Sequence, residues 1–219
     1  MNYKDLALKN ESWIRSGWGS LESQSNRHKL INSELMKYKK FKTILDFGCN
    51  DCSFFYNYLN SYRNVQLVLG YDPCKEALEN AAKKNKFNKN SFEFILYDNY
   101  FRILEKYKSY FEIIICCGVL QISKINKKST IKQIKNLLRK EGIAFISLLS
   151  LDWEGFKDNP LKNKPNNQNQ WSYYKEIELI IQEIKELRIL KALSINPRTG
   201  DHGPIGYGYD MLIILKKIL

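Results

Sequence analysis

The sequence predicts an α/β protein with a doubly wound sheet of seven strands, mostly parallel, whose last strand is antiparallel. Three observations indicate this fold. Short apolar runs alternate with helical patterns from residue 42 onward, as they do where helices connect parallel strands. A glycine-bearing loop follows the first apolar run, and no helical pattern separates the last two runs. A hairpin is the simple connection between these last runs, so the final strand should be antiparallel.

The first five strands are predicted at residues 42–47, 65–71, 92–97, 111–117 and 143–149. The fourth run is nearly all apolar, which is typical of a strand covered on both faces. Helices are predicted at residues 53–62 and 75–84, and a third has Ser129 as its N-cap and ends at Glu141-Gly142. An amphipathic helix over residues 174–187 precedes the last two strands, at residues 189–195 and 211–215.

A single domain is expected, because 219 residues can build one substantial core. Residues 1–40 form an N-terminal cap segment, residues 41–150 the α/β core, and residues 151–219 a long loop, a helix and the terminal hairpin. The loop at residues 152–170 contains two prolines and many Asn and Gln residues. Loops of this length are usually lids, binding loops or disordered segments, and we interpret this one as a lid.

Composition restricts the class of protein. The longest apolar stretch, residues 111–120, contains Glu112 and is half the length of a membrane span. The first ten residues contain no apolar run, so we expect no signal peptide and a cytoplasmic protein. The five cysteines are an odd number, which favours reduced thiols. The net charge is +12, but its lysines are spread over many segments, which argues against a nucleic-acid partner.

Three carboxylates lie at the ends of the first three predicted strands: Asp46, Asp72 and Asp98. In an open α/β sheet, ligands bind beyond the carboxyl ends of the strands. Asp72 is placed to accept hydrogen bonds from both hydroxyls of a ribose, and Asp98 from a purine amino group. The alternative for both is a helix N-cap or a turn residue. Their joint spacing with the loop after the first strand predicts a site for a nucleoside-bearing cofactor.

Five short segments resemble those of the class I S-adenosylmethionine-dependent methyltransferases, which have a Rossmann-like fold. They are Leu45-Asp46-Phe47-Gly48-Cys49-Asn50, Gly70-Tyr71-Asp72, Tyr97-Asp98, the strand within residues 111–120, and the turn before the fifth strand, Leu137-Leu138-Arg139-Lys140-Glu141-Gly142. The resemblance covers residues 40–150 well and implies S-adenosylmethionine as the cofactor. It implies that the loop contacts the methionine part, Asp72 the ribose, and Asp98 with Asn99 the adenine. The implied cofactor-binding residues are Asp46, Phe47, Gly48, Cys49, Asn50, Asp72, Pro73, Asp98, Asn99, Cys116 and Cys117.

Two residues depart from the family pattern in the first loop. Asn50 and Cys52 stand where the family has its second and third glycines. Asn adopts left-handed backbone conformations more readily than other non-glycine residues. Cys52 adds a side chain where the helix approaches the strand, so we expect crowding of the loop. A cofactor-binding relative without catalysis therefore stays an alternative.

The N-terminal segment is similar to one in small bacterial methyltransferases of mostly unknown substrate. The similarity rests on Ser16-Gly17-Trp18-Gly19-Ser20 and on Ser23-Gln24-Ser25-Asn26-Arg27-His28. We expect the segment to cover the cofactor and Trp18 to contact the substrate, and we expect Gln24 or Arg27 to reach the cofactor's carboxylate. The alternative is a surface helix packed by Trp13 and Trp18.

Acceptor-side residues are predicted in the loop between the last two strands. His202 is nominated as general base, Asp201 as its orienter or an alternative base, and Arg198 as a substrate anchor. Asp152 as a catalytic residue and Trp153 as a substrate residue are second choices, and His28 is a further base candidate. A polar hairpin turn is the alternative. The Cys49-x-x-Cys52 pair lacks a histidine partner, so no metal site is expected.

The sequence thus predicts methyl transfer from S-adenosylmethionine to a small-molecule acceptor. Transfer to an oxygen of a sugar, a surface-polysaccharide precursor or a secondary-metabolite precursor is favoured, on the resemblance alone. An RNA methyltransferase that uses the basic surface is the alternative with the same fold. The sequence specifies no oligomeric state.

Overall fold

A computed structural model describes residues 21–38, 40–58, 62–84, 93–120, 125–150, 174–197 and 209–219. Helices and strands alternate along these residues as the apolar runs predict. The elements are α1 (Leu21–Leu35), β1 (Thr43–Phe47), α2 (Ser53–Tyr58), β2 (Leu67–Tyr71), α3 (Lys75–Lys84), β3 (Glu93–Tyr97), α4 (Tyr100–Tyr107), β4 (Phe111–Cys117), α5 (Lys127–Leu137), β5 (Leu138–Ser150), α6 (Tyr174–Glu183), β6 (Leu187–Pro197) and β7 (Tyr209–Lys217).

The strands form one seven-stranded sheet in the order β3-β2-β1-β4-β5-β7-β6. Strands β1 to β5 pair in parallel, and β7 pairs antiparallel with both β5 and β6. The predicted fold class is confirmed, including the antiparallel last strand. The strand order reverses between β1 and β4, so the carboxyl ends of both strands open into one crevice, the usual ligand site of such sheets. The division into a cap, a core and a C-terminal segment stays a prediction.

Alternating side chains of the sheet enter two apolar layers. On β1, Leu45 and Phe47 pack with α4, α5 and α6, whereas Ile44 packs with α1 and α2 on the opposite face. This alternation follows from the two-residue period of a strand. It also determines the neighbours of Asp46, because Asp46 shares the face of Ile44 and therefore lies on the side that α1 and α2 cover.

The boundaries of α5 differ from the prediction. Its N-cap is Asn126, whose side chain accepts a hydrogen bond from the Ser129 N–H, so Ser129 is not the cap. The helix ends at Leu137 rather than at residue 141, and β5 begins at once. Lys217 of β7 donates to the carbonyl oxygens of Lys135 (3.1 Å) and Leu138 (2.7 Å). These bonds satisfy carbonyls that a helix end leaves without partners.

The Glu141-Gly142 pair forms an irregularity within β5 instead of a helix end. Glu141 has a φ of +64°, and the register with β4 shifts between the pairs Phe111–Leu138 and Ile113–Ile143. A β-carbon at position 142 would lie 2.9 Å from the Arg139 carbonyl oxygen. Glycine therefore has a local role here, which explains why the Glu141-Gly142 pair resembles a turn in the sequence. Among the described residues, no helix is long and apolar enough to cross a membrane.

Candidate functional site

The loop between β1 and α2 has an alternating backbone conformation. Gly48, Asn50 and Cys52 have φ values of +80°, +48° and +55°, so the family's three glycine positions keep the left-handed region although two carry side chains. The N–H groups of Gly48 and Cys49 both donate to the Tyr71 carbonyl oxygen, at 2.7 and 2.9 Å. The loop is thereby fixed to the end of β2, close to Asp72.

Asp72 is the residue that organises this end of the crevice. Its Oδ2 accepts a hydrogen bond from the Asn50 N–H, and its Oδ1 accepts one from the Cys74 N–H, both at 2.9 Å. Burial raises the pKa of this carboxyl, and the two backbone donors oppose that shift. The Cys74 bond is a turn contact, as the structural alternative predicts. Each carboxylate oxygen can accept a further bond, so the contact leaves room for ribose hydroxyls.

Asp46 is buried beside two other carboxylates. It is 3% exposed and accepts no hydrogen bond from any residue that the structure describes. Burial, followed by the charges of Asp72 and Asp51, raises its pKa to about 8. Asp51 is fully buried but has strong donors: the Ser53 N–H at 3.2 Å and the Lys84 Nζ at 2.6 Å. Asp46 therefore holds a proton at neutral pH in the ligand-free protein.

Replacing Asp46 by Asn should change how stability depends on pH. Because the pKa is 3.8 in the unfolded chain and about 8 in the folded one, only the folded state binds this proton between those values. The Asp46 carboxyl should thus lower the wild-type free energy of unfolding by about 1.4 kcal/mol per pH unit as pH rises toward 8. Urea unfolding from pH 6 to 9 should show a shallower decline for Asp46→Asn. Parallel pH profiles for the two proteins would contradict the prediction, and Glu105→Gln, an exposed change on α4, is the control.

Cys49 and Cys52 fit beneath the loop because residue 70 is glycine. A β-carbon at position 70 would lie 3.0 Å from each of the two Sγ atoms and 2.9 Å from Leu96 Cδ2. Both thiols are buried in a small cluster with Leu78, Ala81 and Leu96. Burial is the largest cause that raises the Cys49 pKa, so this thiol stays protonated. The expected crowding by Cys52 is thus relieved by the neighbouring strand.

Gly70→Ala should destabilise the protein by about 1–3 kcal/mol, since the added methyl overpacks this cluster. Removing one thiol makes room for the methyl, so the same change in a Cys52→Ala background should have a smaller effect. Free energies of unfolding for the four proteins of this cycle measure the coupling. Cys74→Ala, a half-buried thiol outside the cluster, is the matched control. Equal effects of Gly70→Ala in all three backgrounds would show that Cys52 and Gly70 do not share this space.

The residues predicted at the adenine end have different surroundings. Asn99 is the N-cap of α4, and its Oδ1 accepts a hydrogen bond from the Phe101 N–H at 2.9 Å. The Asn99 side chain therefore has a structural role as a helix cap, one that the sequence analysis considered for Asp98 instead. The Asp98 carboxylate is 35% exposed and lies 3.7 Å from the Lys75 Nζ. Pro73 is exposed in the turn after β2. Asp98 remains accessible to a ligand, whereas the Asn99 side-chain oxygen already has a structural partner.

The end of β4 separates its two cysteines. Cys116 is fully buried in the layer of α4, α5 and α6, so its thiol does not face the crevice. The cofactor contact expected of Cys116 stays a prediction, and it would involve the backbone rather than the buried thiol. Cys117 points to the other face, where the Ser147 Oγ donates to its Sγ at 3.1 Å. No group of three or more metal-ligating side chains occurs within the described ranges.

Helix α1 brings a polar face to the cofactor loop. Gln24, Arg27 and His28 are buried on it, and the Gln24 Nε2 donates to the Ser53 Oγ at 3.4 Å. Burial, with the Arg27 charge second, lowers the His28 pKa to about 4, and its ring packs edge-on against Phe54 at 5.3 Å. The segment containing Gln24 and His28 therefore lies against the start of α2, and its role in covering the cofactor stays a prediction.

Several predicted residues lie outside the described part of the chain. They are Trp18, Asp152, Trp153, Arg198, Asp201 and His202, together with the predicted lid at residues 152–170. Conversely, sequence reasoning missed Asp51, Lys84 and Val119. The Asp51-x-Ser53 spacing is a recognisable helix-start pattern. Nothing local indicates Val119, which lies beside Gly48 only because β1 and β4 are neighbours.

The strand order is that of the Rossmann-like fold of the class I S-adenosylmethionine-dependent methyltransferases. Residues 45–144, somewhat less than half of the chain, match the profile of a family described as a methyltransferase domain. These similarities support a methyltransferase that uses S-adenosylmethionine as its cofactor. No curated protein matches the chain in sequence.

Solved structures with the same fold have low sequence identity to the chain. A S-adenosylmethionine-dependent methyltransferase from Methanosarcina mazei is 16% identical with a TM-score of 0.61, over 82% of this chain and 94% of its own. Magnesium protoporphyrin IX methyltransferase from Synechocystis, solved with bound SAH, is 14% identical with a TM-score of 0.62, over 95% and 89%. An arsenic(III) methyltransferase from Chlamydomonas reinhardtii is 16% identical with a TM-score of 0.55, over 82% and 64%.

Proposed function

We propose that the enzyme transfers a methyl group from S-adenosylmethionine to an oxygen of a small molecule. The observation that carries this proposal is the Asp72 carboxylate, which holds the left-handed loop at Asn50 and follows the end of β2, where we expect the ribose to bind. The proposed cofactor contacts are the loop from Asp46 to Asn50 for the methionine part, Asp72 and Pro73 for the ribose, and Asp98 for the adenine. The Cys116 and Cys117 backbone would lie beside the transferred methyl group.

Helix α1 supplies the charge for the cofactor's carboxylate. Gln24 and Arg27 are three residues apart and therefore lie on the same face of the helix. Gln24 contacts Ser53 at the start of α2, and Arg27 is fully buried on the same helix. A guanidinium is suited to a carboxylate because its donors form a planar fork. The amine and sulfonium of the cofactor are cationic, so their binding would favour the ionised form of the Asp46 carboxyl, which holds a proton in the ligand-free protein.

The acceptor is proposed from the chemistry of related folds. Magnesium protoporphyrin IX and arsenic(III) are named for two of the similar structures, and neither is a macromolecule. We favour a sugar or a precursor of a surface polysaccharide or secondary metabolite. His202 is proposed as general base, with Asp201 or Asp152 in support, and Arg198, Trp153 and Trp18 as substrate contacts. These residues fall outside the described ranges, so their roles rest on the sequence.

Calorimetric titration with S-adenosylmethionine tests the cofactor site. Arg27→Met should weaken binding by about 10- to 100-fold, since a hydrogen-bonded charge contributes roughly 1.5–3 kcal/mol. Lys29→Met, an exposed change on the same helix, is the control and should bind like the wild type. Equal affinity of the Arg27→Met protein and the wild type would remove Arg27 from the site.

Methyl transfer from labelled cofactor to sugar, metabolite and RNA pools then tests the acceptor class. His202→Ala should reduce turnover while leaving cofactor affinity unchanged, because a general base acts on the acceptor. Unchanged turnover would exclude His202 as the base. Labelling confined to RNA would favour the RNA alternative and overturn the small-molecule proposal.

A further inference from the structure

A cationic cleft lies at the amino-terminal edge of the sheet, away from the cofactor loop. It has a volume of about 470 Å³ and is lined by Lys40, Lys42, Arg63, Asn64, Val65 and Gln66. Its residues directly precede β1 and β2. Strand β1 has five residues, which span about 16 Å at roughly 3.3 Å each. The cleft and the cofactor crevice are therefore at opposite ends of the same strands.

The base of the cleft is rigid. The N–H groups of Gln66 and Leu67 both donate to the Lys42 carbonyl oxygen, at 2.8 and 3.1 Å, which fixes one wall to the other. Beneath them, Phe41 and Tyr62 are buried with their rings 5.8 Å apart, and Val65 is buried in the same apolar layer. The cationic side chains thus project from backbone held in place by both β-pairing and core packing.

The charges of the cleft differ from those elsewhere on the described part of the chain. Lys40, Lys42 and Arg63 are exposed, and none of them forms an ion pair within the described ranges. This differs from other lysines of the chain, many of which do pair with carboxylates: Lys37, Lys75, Lys84, Lys127, Lys128, Lys135, Lys191 and Lys216.

The nearest carboxylates do not cancel these charges. Glu112 accepts a hydrogen bond from the Lys42 N–H, but its other oxygen pairs with Arg139 at 2.8 Å. The backbone of Glu93 is bonded to Gln66, and its exposed side chain adds one carboxylate to the rim. The cleft thus has three cations and one rim carboxylate, that of Glu93. Since the chain also has a net charge of +12, this surface is positive and attracts anions.

We propose that this cleft binds a phosphate-bearing ligand, at a site separate from that of methyl transfer. Two lysines and an arginine can surround a phosphate, and the amides of Asn64 and Gln66 can donate to its oxygens. Such a ligand is either a small phosphorylated molecule or the backbone of a single-stranded RNA. Both present the same chemistry, and the binding test separates them.

The test compares two triple variants with the same loss of charge. Lys40→Gln/Lys42→Gln/Arg63→Gln removes the cleft's cations, and Lys29→Gln/Lys83→Gln/Arg102→Gln removes exposed cations from three helices. Fluorescence anisotropy measures binding of a labelled single-stranded RNA of about ten nucleotides at several salt concentrations. The cleft variant should bind at least tenfold more weakly, with a salt slope lower by about 2. The helix variant should lose less than twofold.

Competition assigns the ligand. Displacement of the RNA by millimolar inorganic phosphate would indicate a small phosphorylated molecule, whereas resistance to phosphate would indicate an RNA backbone; both outcomes support the site. Three results would overturn the proposed phosphate site. The two triple variants could lose RNA affinity equally, poly-glutamate could bind as tightly as the RNA, or neither the RNA nor inorganic phosphate could bind. Titration with S-adenosylmethionine should give the same affinity for the cleft variant as for the wild type. Failure of the proposed methyl transfer would therefore be recognised separately.

Discussion

Asp72→Ala is expected to reduce the affinity for S-adenosylmethionine at least a hundredfold. The wild-type carboxylate accepts hydrogen bonds from the Asn50 and Cys74 N–H groups, so its removal frees the loop as well as removing the proposed ribose contact. Bonds to a charged group contribute roughly 1.5–3 kcal/mol each. Losing two such bonds to the expected ribose hydroxyls corresponds to about 10²- to 10⁴-fold in the dissociation constant. Isothermal titration calorimetry measures the change.

Asp98→Ala is the matched control for Asp72→Ala. Its carboxylate is partly exposed and pairs with Lys75 at 3.7 Å, an arrangement that contributes little because solvent screens it. We expect a loss of affinity below about tenfold and an unchanged circular dichroism spectrum. If the folded Asp72→Ala protein bound the cofactor as tightly as the wild type, Asp72 would not be a cofactor contact. Its role would then be limited to stabilising the turn through its bond to Cys74.

Gly48→Ala should abolish cofactor binding at concentrations that saturate the wild type. The residue has a φ of +80°, and a β-carbon there would lie 2.3 Å from Val119 Cγ2. The left-handed backbone costs a non-glycine residue about 1–2 kcal/mol, and overpacking adds about 1–3 kcal/mol. The loop would relieve both by moving away from β4, which separates its N–H groups from the Tyr71 carbonyl.

A second substitution separates the two causes. Val119→Ala removes the atom that the new methyl would contact, so Gly48→Ala/Val119→Ala should recover the overpacking part of the loss and retain the backbone part. Binding and urea unfolding of the two single variants and the double variant measure this. If Val119→Ala gives no recovery, the backbone conformation alone accounts for the glycine.

Much of the crevice could be predicted from the sequence because its residues follow strand ends directly. The apolar runs locate β1, β2 and β3, and the polar residue after each run then lies at one edge of a parallel sheet. Asp72 and the first loop were found in this way. The boundary of α5 was not, because Glu141-Gly142 resembles a helix end, whereas the register shift with β4 and the Lys217 bonds depend on strands distant in sequence.

The sequence by itself determined the fold class, the strand ends that carry Asp46, Asp72 and Asp98, and the departure from the glycine pattern at Asn50 and Cys52. Local periodicity and short-range turn chemistry are enough for these features. Only the tertiary structure decided that Gly70 makes room for the two thiols, that the Cys116 thiol faces the core, and that burial keeps Asp46 protonated. These properties depend on which side chains meet across neighbouring strands and on how completely water is excluded, and neither is encoded within a short stretch of chain.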